Sequence, residues 1–492
     1  MKITIQKAKN GEETALADNH FLHSNYAPQK EAERFVENIS IPYTPSAIII
    51  SEPALSYITV FLRNKFPGIK LGAIRYTDSF NVYNKDFDFV LNYYEHADFE
   101  NYLESRFTEE ELLNSFFVPW TPSAQTFIEE DKLVWNSIKA ALERSKTLLI
   151  TRQYFEKRWF LNSCSFIKYL NTVIDLEAPV NKPALIISSG PSLIPFIDTI
   201  KKNQNRFFII ALSSAITVCI KNEIQPDLCL STDGGYWAAE HLKPLYKHNI
   251  PLAMPAEAYC KKSLFSKLNI LPLDYGDGIS HELLSSSNIT TKKAVRNGTV
   301  SGTALLFAAQ YCSKDIFFCG LDLAEQKGFQ HTQPNQLEAN SSTADFRIKN
   351  KMTRLTRAQL TTGSLEIYKN WFINNPLKLN NRKVFRLIEN KDRKNNLNWI
   401  EDLELNSFTS LINNLEATDK IRFKTFDIKK DFTNLTKLLT FKANSEKIKR
   451  QIFPLDYVQL SHNPDNNSIP DKINKEWEKL KIKAGKILDA DL

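Results

Sequence analysis

Four short stretches of the chain combine glycine, hydroxyl and acidic residues at spacings that suit phosphate or hydroxyl chemistry. The first is Ser188-Ser189-Gly190-Pro191-Ser192-Leu193, directly after the apolar run Ala184 to Ile187. Gly190 permits close backbone approach, and Pro191 fits the first turn of a helix, where its missing N–H costs nothing. Exposed N–H groups at such a turn, aided by the helix dipole, hold a phosphate. An ordinary strand-to-helix turn has the same composition. No Gly-Lys-Ser/Thr follows and no full G-x-G-x-x-G is present, so this is neither a Walker loop nor a dinucleotide fingerprint.

The second stretch is Thr232-Asp233-Gly234-Gly235, after Pro226-Asp227 and the run Leu228 to Leu230. A carboxylate at a strand end can bind a ribose hydroxyl or a substrate amine; Asp233 can equally cap the next helix. The third is Asn297-Gly298-Thr299-Val300-Ser301-Gly302-Thr303, which opens a helix from Ala304 to Cys312. Ser301 and Thr303 are good capping residues, and hydroxyls at a helix start suit a carboxylate or phosphate. The fourth is Cys319-Gly320-Leu321-Asp322-Leu323-Ala324, with His331 nine residues beyond Asp322 in the polar loop Lys327 to Thr332. An imidazole titrating near pH 6.5 can take a proton from an acceptor hydroxyl. A solvated loop histidine is the alternative.

These stretches need a scaffold that brings strand ends together. Between 181 and 335, short apolar runs alternate with helix-length segments: Ala184 to Ile187, Phe207 to Leu212, Leu228 to Leu230, Pro251 to Met254, Ile270 to Leu273 and Ile316 to Cys319. That alternation predicts βαβ units and a doubly wound, mainly parallel Rossmann-like α/β sheet, with ligands beyond the carboxyl ends of its strands. Residues 1–115 read as a smaller α/β domain, with strands near Ser46 to Ile50, Ile69 to Ile74 and Phe87 to Leu91 and a helix over Leu55 to Lys65. Residues 116–180 read as a mainly helical connector, 181–340 as the donor-binding catalytic domain, and 341–492 as a mostly helical C-terminal region.

The 492 residues are 42% hydrophobic and 24% charged, the balance of a globular protein of several domains. The net charge of +7 is concentrated in residues 341–492, with 29 lysines and arginines against 19 aspartates and glutamates. That lobe could dock an acidic protein or simply present a solvated face. No nucleic-acid motif is present. No apolar run reaches the roughly 18–20 residues of a membrane span, and the polar start reads as no secretion signal, so a cytoplasmic location is expected. The six cysteines form no C-x-x-C pair and are expected to be reduced and buried. The eight histidines show no metal-ligand spacing, so no metal site is expected.

Taken in order, the four stretches resemble the motility-associated factor family of glycosyltransferases. The G-P-S-L turn, P-D followed by a strand-end Asp, S-G-T-A helix start and G-x-D-L-A with a downstream His are all present. The segment His23-Ser24-Asn25-Tyr26-Ala27-Pro28-Gln29-Lys30-Glu31-Ala32 is similar to the family's opening, so the resemblance spans roughly residues 1–340. It implies transfer of a nonulosonic (sialic-acid-like) sugar to Ser or Thr of flagellin, with a CMP-activated sugar as co-substrate and no further cofactor.

The central block also resembles the metal-independent bacterial sialyltransferases. That resemblance implies a donor site of Gly190, Pro191, Ser192, Ser301, Gly302 and Thr303, with Asp322 lining it and His331 as base; Ser189, Asp233 and Gly234 are read beside them as donor-binding. Ser189 stands where those enzymes usually have Asn, and His331 lies nearer the strand-end Asp than their catalytic histidine does. Hydroxymethylpterin diphosphokinases share a similar block, which implies ATP and Mg²⁺ with Asp233 or Asp322 as metal ligand. A flagellar assembly factor without catalysis is the third reading.

Overall fold

The computed structural model describes residues 2–177, 179–323, 331–332, 335, 363–389, 397–429 and 432–489. Chain contacts divide it into two compact units. One comprises Met1–Glu156 with Lys449–Lys479, the other Lys157–Ile448 with Leu480–Leu492.

The first unit holds two sheets. β1 (Ile3–Lys7), β2 (Glu13–Ala17) and β3 (His20–Phe21) form an antiparallel meander. β4 (Ala47–Ser51), β5 (Lys70–Arg75), β6 (Phe89–Asn92) and β7 (Phe116–Pro119) form a parallel sheet in the order β6-β5-β4-β7. The expected strands near 46–50, 69–74 and 87–91 are β4, β5 and β6. β4 is buried throughout, as parallel strands covered on both faces are.

The second unit is built on an eleven-stranded sheet. Its strands are β8 (Thr172–Leu176), β9 (Ala184–Ile187), β10 (Phe208–Leu212), β11 (Leu228–Leu230), β12 (Leu252–Pro255), β13 (Ile270–Asp274), β14 (Lys292–Lys293), β15 (Ile316–Cys319), β16 (Val384–Ile388), β17 (Glu401–Glu404) and β18 (Phe423–Asp427). The order is β17-β16-β15-β9-β10-β11-β12-β13-β8-β18, with β14 also on β13. All pairs are parallel except β18 on β8. The mixed α/β architecture expected from the alternating runs is present, and each of the six runs is a strand within a residue or two.

From β9 the chain winds one way through β10 to β13, then returns to place β15 on the other flank of β9. That reversal is a topological switch point, where open α/β sheets leave a crevice for ligands. β9, β10, β11 and β15 are fully buried, and alternate side chains feed two cores. Ile316 and Phe318 pack with Ala304, Leu305 and Ala308 of the helix Val300–Tyr311. On the other face, the Phe317 ring lies 5.8 Å from Phe207 and 5.1 Å from Phe385. Each such side chain taken out of water contributes roughly 1.5–3 kcal/mol.

The C-terminal third is largely helical, as expected, but also supplies β16, β17 and β18. Their sequences are short and interrupted by charge (Arg386, Asp402, Lys424), so period-two patterning is weak; pairing with a formed sheet makes them strands. β8 likewise lies in the stretch read as mainly helical, next to the 42-residue helix Ile128–Tyr169. Among the described residues no helix is long and apolar enough to cross a membrane. All six cysteines are free and buried, and burial pushes Cys164, Cys219, Cys260 and Cys312 up to about 12.

Candidate functional site

The switch point is closed by direct contact between the turns that follow β9 and β15. The Ser188 N–H donates to Cys319 O (2.8 Å) and the Gly190 N–H to Gly320 O (2.9 Å). A Cβ on Gly190 would lie 2.4 Å from Gly320 O, and one on Gly320 would lie 2.3 Å from Ser188 O, so neither turn tolerates a side chain. Gly320 also has φ +78°, a left-handed conformation that glycine adopts freely.

This close approach carries Asp322 over the Gly190 turn. Its Oδ2 accepts from the Ser192 N–H at 2.9 Å. Pro191–Phe196 is a 3₁₀ turn with Gly190 before it, followed by a short α-helix, Ile197–Asn203. Asp322 therefore takes one of the N–H groups that the sequence assigns to a phosphate. The expected donor residue Ser189 is buried, and its hydroxyl accepts from Ser214 Oγ at 2.9 Å.

Of the loop read from Lys327 to Thr332, His331 and Thr332 fall among the described residues. Thr332 donates from N to Ser189 O (2.5 Å) and from Oγ1 to Gly190 O (2.6 Å). Asn335 Nδ2 donates to Ser214 O at 3.2 Å. Thr332 and Asn335 thus bond to the residues that follow β9 and β10, and His331 adjoins Thr332.

Asp233 is exposed beyond the end of β11. Its Oδ1 accepts from the Gly235 N–H at 2.8 Å, while the cap of the next helix, Tyr236–Leu242, is Gly235 without a side-chain bond. Asn162 Nδ2 pins the loop by donating to Gly234 O (3.1 Å) and Glu257 O (2.8 Å). The Tyr236–Leu242 helix packs against the Ser213–Ala215 turn that follows β10, which holds it at the same edge.

The helix expected from Ala304 begins earlier, at Val300, with Thr299 before it. Ser301, Gly302 and Thr303 therefore lie in its first turn. Asn297 organises the entry: its Oδ1 accepts from Thr299 N (3.0 Å) and its Nδ2 donates to Thr303 Oγ1 (3.1 Å). β14 runs beside the carboxyl end of β13, so this helix also starts at the carboxyl edge of the sheet. Arg296, one residue upstream of Asn297, braces it with bonds of 2.6 and 3.0 Å to Glu257 and 3.1 Å to Asp277.

One residue was missed from the sequence. His241 is 8% exposed and its ring lies 6.4 Å from that of His331. Burial, then the neighbouring His331, hold its pKa down at about 4, against the upward pull of Asp233 and Glu240. Its Nδ1 is buried without a hydrogen-bond partner, as are Ser188 Oγ, Ser192 Oγ and Ser231 Oγ. As a single histidine in an ordinary helical pattern, it carried no spacing signal. Unfilled buried polar atoms are costly and are normally satisfied by protein, water or ligand. Ser188 and Ser192 follow β9, Ser231 follows β11, and His241 lies in the helix after β11. Among the described residues no group of three histidine, cysteine or acidic side chains forms a metal site.

The fold and this edge define a Rossmann-like α/β domain with a polar carboxyl edge at its switch point. Residues 157–328 match the family model described as 6-hydroxymethylpterin diphosphokinase MptE-like. A Treponema pallidum (strain Nichols) protein, named only as uncharacterized, is 31% identical over 281 residues, 56% of this chain and 61% of the relative. The chain thus spans about three fifths of the length of the curated relative it matches. A solved structure described as the MAf glycosyltransferase from Magnetospirillum magneticum AMB-1 aligns over 99% of this chain and 90% of that one, with a TM-score of 0.48 and 12% identity.

Proposed function

We propose that the second unit is a transferase that binds a nucleotide-linked donor at the switch point. The observation that carries this reading is three buried hydroxyls without a partner in the turns that follow β9 and β11, Ser188 Oγ, Ser192 Oγ and Ser231 Oγ. They are small donors and acceptors at the edge where α/β sheets bind nucleotides. The Ser192 turn and the Ser301 helix start hold the donor's phosphates. The histidines face the acceptor.

The match to the MptE-like family model favours diphosphoryl transfer. An acceptor hydroxymethyl oxygen attacks the β-phosphorus of a nucleoside triphosphate, the bond from β-phosphorus to the bridging oxygen breaks, and the nucleoside monophosphate leaves. The acceptor proton passes to a base at the edge. Mg²⁺ is usually held by one or two carboxylates plus the substrate's phosphates, and the exposed Asp233 fits such a shared site. The metal would neutralise developing phosphate charge.

The four sequence motifs favour a second reading: transfer of a nonulosonic sugar from a CMP-linked donor to Ser or Thr of flagellin. There the acceptor oxygen attacks the anomeric carbon and CMP departs with the bonding electrons.

Two reactions separate the readings. With ATP, Mg²⁺ and a hydroxymethylpterin, release of AMP supports the first. With CMP-nonulosonate and flagellin in EDTA, a sugar-sized gain in intact flagellin mass supports the second. Failure of both, with no nucleotide bound in a titration, would remove the transferase reading.

A further inference from the structure

We propose that the imidazole of His241 is a catalytic residue of this site, its Nδ1 receiving the proton of the acceptor hydroxyl. The inference rests on the transferase reading and assigns a role that the motifs gave to His331 alone. His241 lies in the helix Tyr236–Leu242, held against the turn after β10, at the same edge as the Ser188 and Ser192 hydroxyls. Its Nδ1 is buried with no hydrogen-bond partner, and unlike His23, His241 sits beyond the carboxyl end of the large sheet with its ring 6.4 Å from that of His331. A hydroxyl-bearing acceptor supplies the missing partner.

Burial is the largest influence on the imidazole and disfavours its charged form; His331, Asp233 and Glu240 act on it as well. The Asp233 carboxylate favours the imidazolium that forms when the proton arrives, while His331, 6.4 Å away ring to ring, opposes it. At neutral pH the imidazole is therefore uncharged and ready to accept. In the transfer step the acceptor oxygen forms its new bond to the donor's phosphorus or anomeric carbon. The bond to the leaving nucleotide oxygen breaks and its electron pair leaves on the phosphate. The acceptor proton moves to Nδ1.

The test compares the full chain with His241→Asn, which keeps a hydrogen-bonding atom near the Nδ1 position, and His241→Gln, which moves it toward Nε2. Binding of ATP and CMP is titrated, and turnover is measured with whichever donor and acceptor react. The expected result is unchanged nucleotide binding in all three chains. Turnover falls about a hundredfold or more in both variants, the scale of general-base catalysis, because an amide keeps a hydrogen bond but takes up no proton. Turnover of His241→Gln within threefold of the unaltered chain would overturn the assignment while leaving the transferase reading intact. Turnover kept in His241→Asn but lost in His241→Gln would show that a hydrogen bond at the Nδ1 position suffices without proton uptake, and would overturn the base role. If the unaltered chain binds neither nucleotide and turns over neither donor, the transferase reading fails and this assignment falls with it.

Discussion

The carboxylate of Asp322 accepts a hydrogen bond from the backbone N–H of Ser192 at 2.9 Å, joining two segments 130 residues apart across the switch point. A negative charge thus sits at the turn where an incoming phosphate would be received. Asp322→Ala strands the Ser192 N–H and is expected to cost about 1–3 kcal/mol, read as a lower denaturation midpoint. Asp322→Asn keeps an acceptor and removes the charge. It is expected to leave stability near that of the unaltered chain and to tighten pyrophosphate or nucleotide binding, measured by titration. Weaker binding in the Asn variant would show that the carboxylate helps hold the donor.

Gly190 and Gly320 set how closely β9 and β15 approach at their ends. Gly190→Ala drives a methyl group toward Gly320 O and Asp322, and Gly320→Ala drives one into Ser188 O while also straining a left-handed backbone. Each is expected to lower stability by about 1–3 kcal/mol and to weaken nucleotide binding. Thermal melting with and without nucleotide measures both. An unchanged melting temperature in either variant would show that the turns part freely.

His241 and His23 are buried neutral, with pKa values held down at about 4 and about 3, mainly by burial. In the unfolded chain both titrate near 6.5. Below that value the unfolded chain binds more protons than the folded one, so stability is complete above about pH 6.5 and is lost as pH falls toward 4 and then 3. For His241 the gap amounts to roughly 3 kcal/mol. Chemical denaturation at pH 7.5 and pH 5 should show weaker folding at pH 5. His241→Gln should flatten that slope and leave the His23 contribution in place.

In the first unit, Arg75 and Glu52 form a fully buried ion pair at 2.9 Å, and Arg75 also donates to Ala54 O and Ser56 Oγ. Glu52, Ala54 and Ser56 all have positive φ, so the pair holds a strained loop after β4. Arg75→Leu leaves the Glu52 carboxylate buried and unpaired, and is expected to cost about 3–5 kcal/mol. The double variant Arg75→Leu with Glu52→Leu should recover part of that loss. Denaturation of the single and double variants reads the difference.

The sequence by itself determined the central strands and the order of the site segments. Ala184–Ile187, Leu228–Leu230 and Ile316–Cys319 are continuous apolar runs bounded by glycine, proline or polar residues, and their shortness and their alternation with helix-length segments suit buried parallel strands. Because each loop follows its strand directly, Ser188–Ser192, Thr232–Gly235 and Gly320–Asp322 had to share one edge of the sheet. What the sequence could not hold was anything that depends on distant partners. β16 and β18 are strands because a formed sheet offers them hydrogen bonds, and residues 449–479 join the first unit through packing that no local pattern announces. The capture of the Ser192 N–H by Asp322 and the isolation of His241 Nδ1 likewise exist only once segments far apart in the chain meet. Burial and an unfilled hydrogen bond are properties of surroundings, and the surroundings are supplied by the tertiary structure.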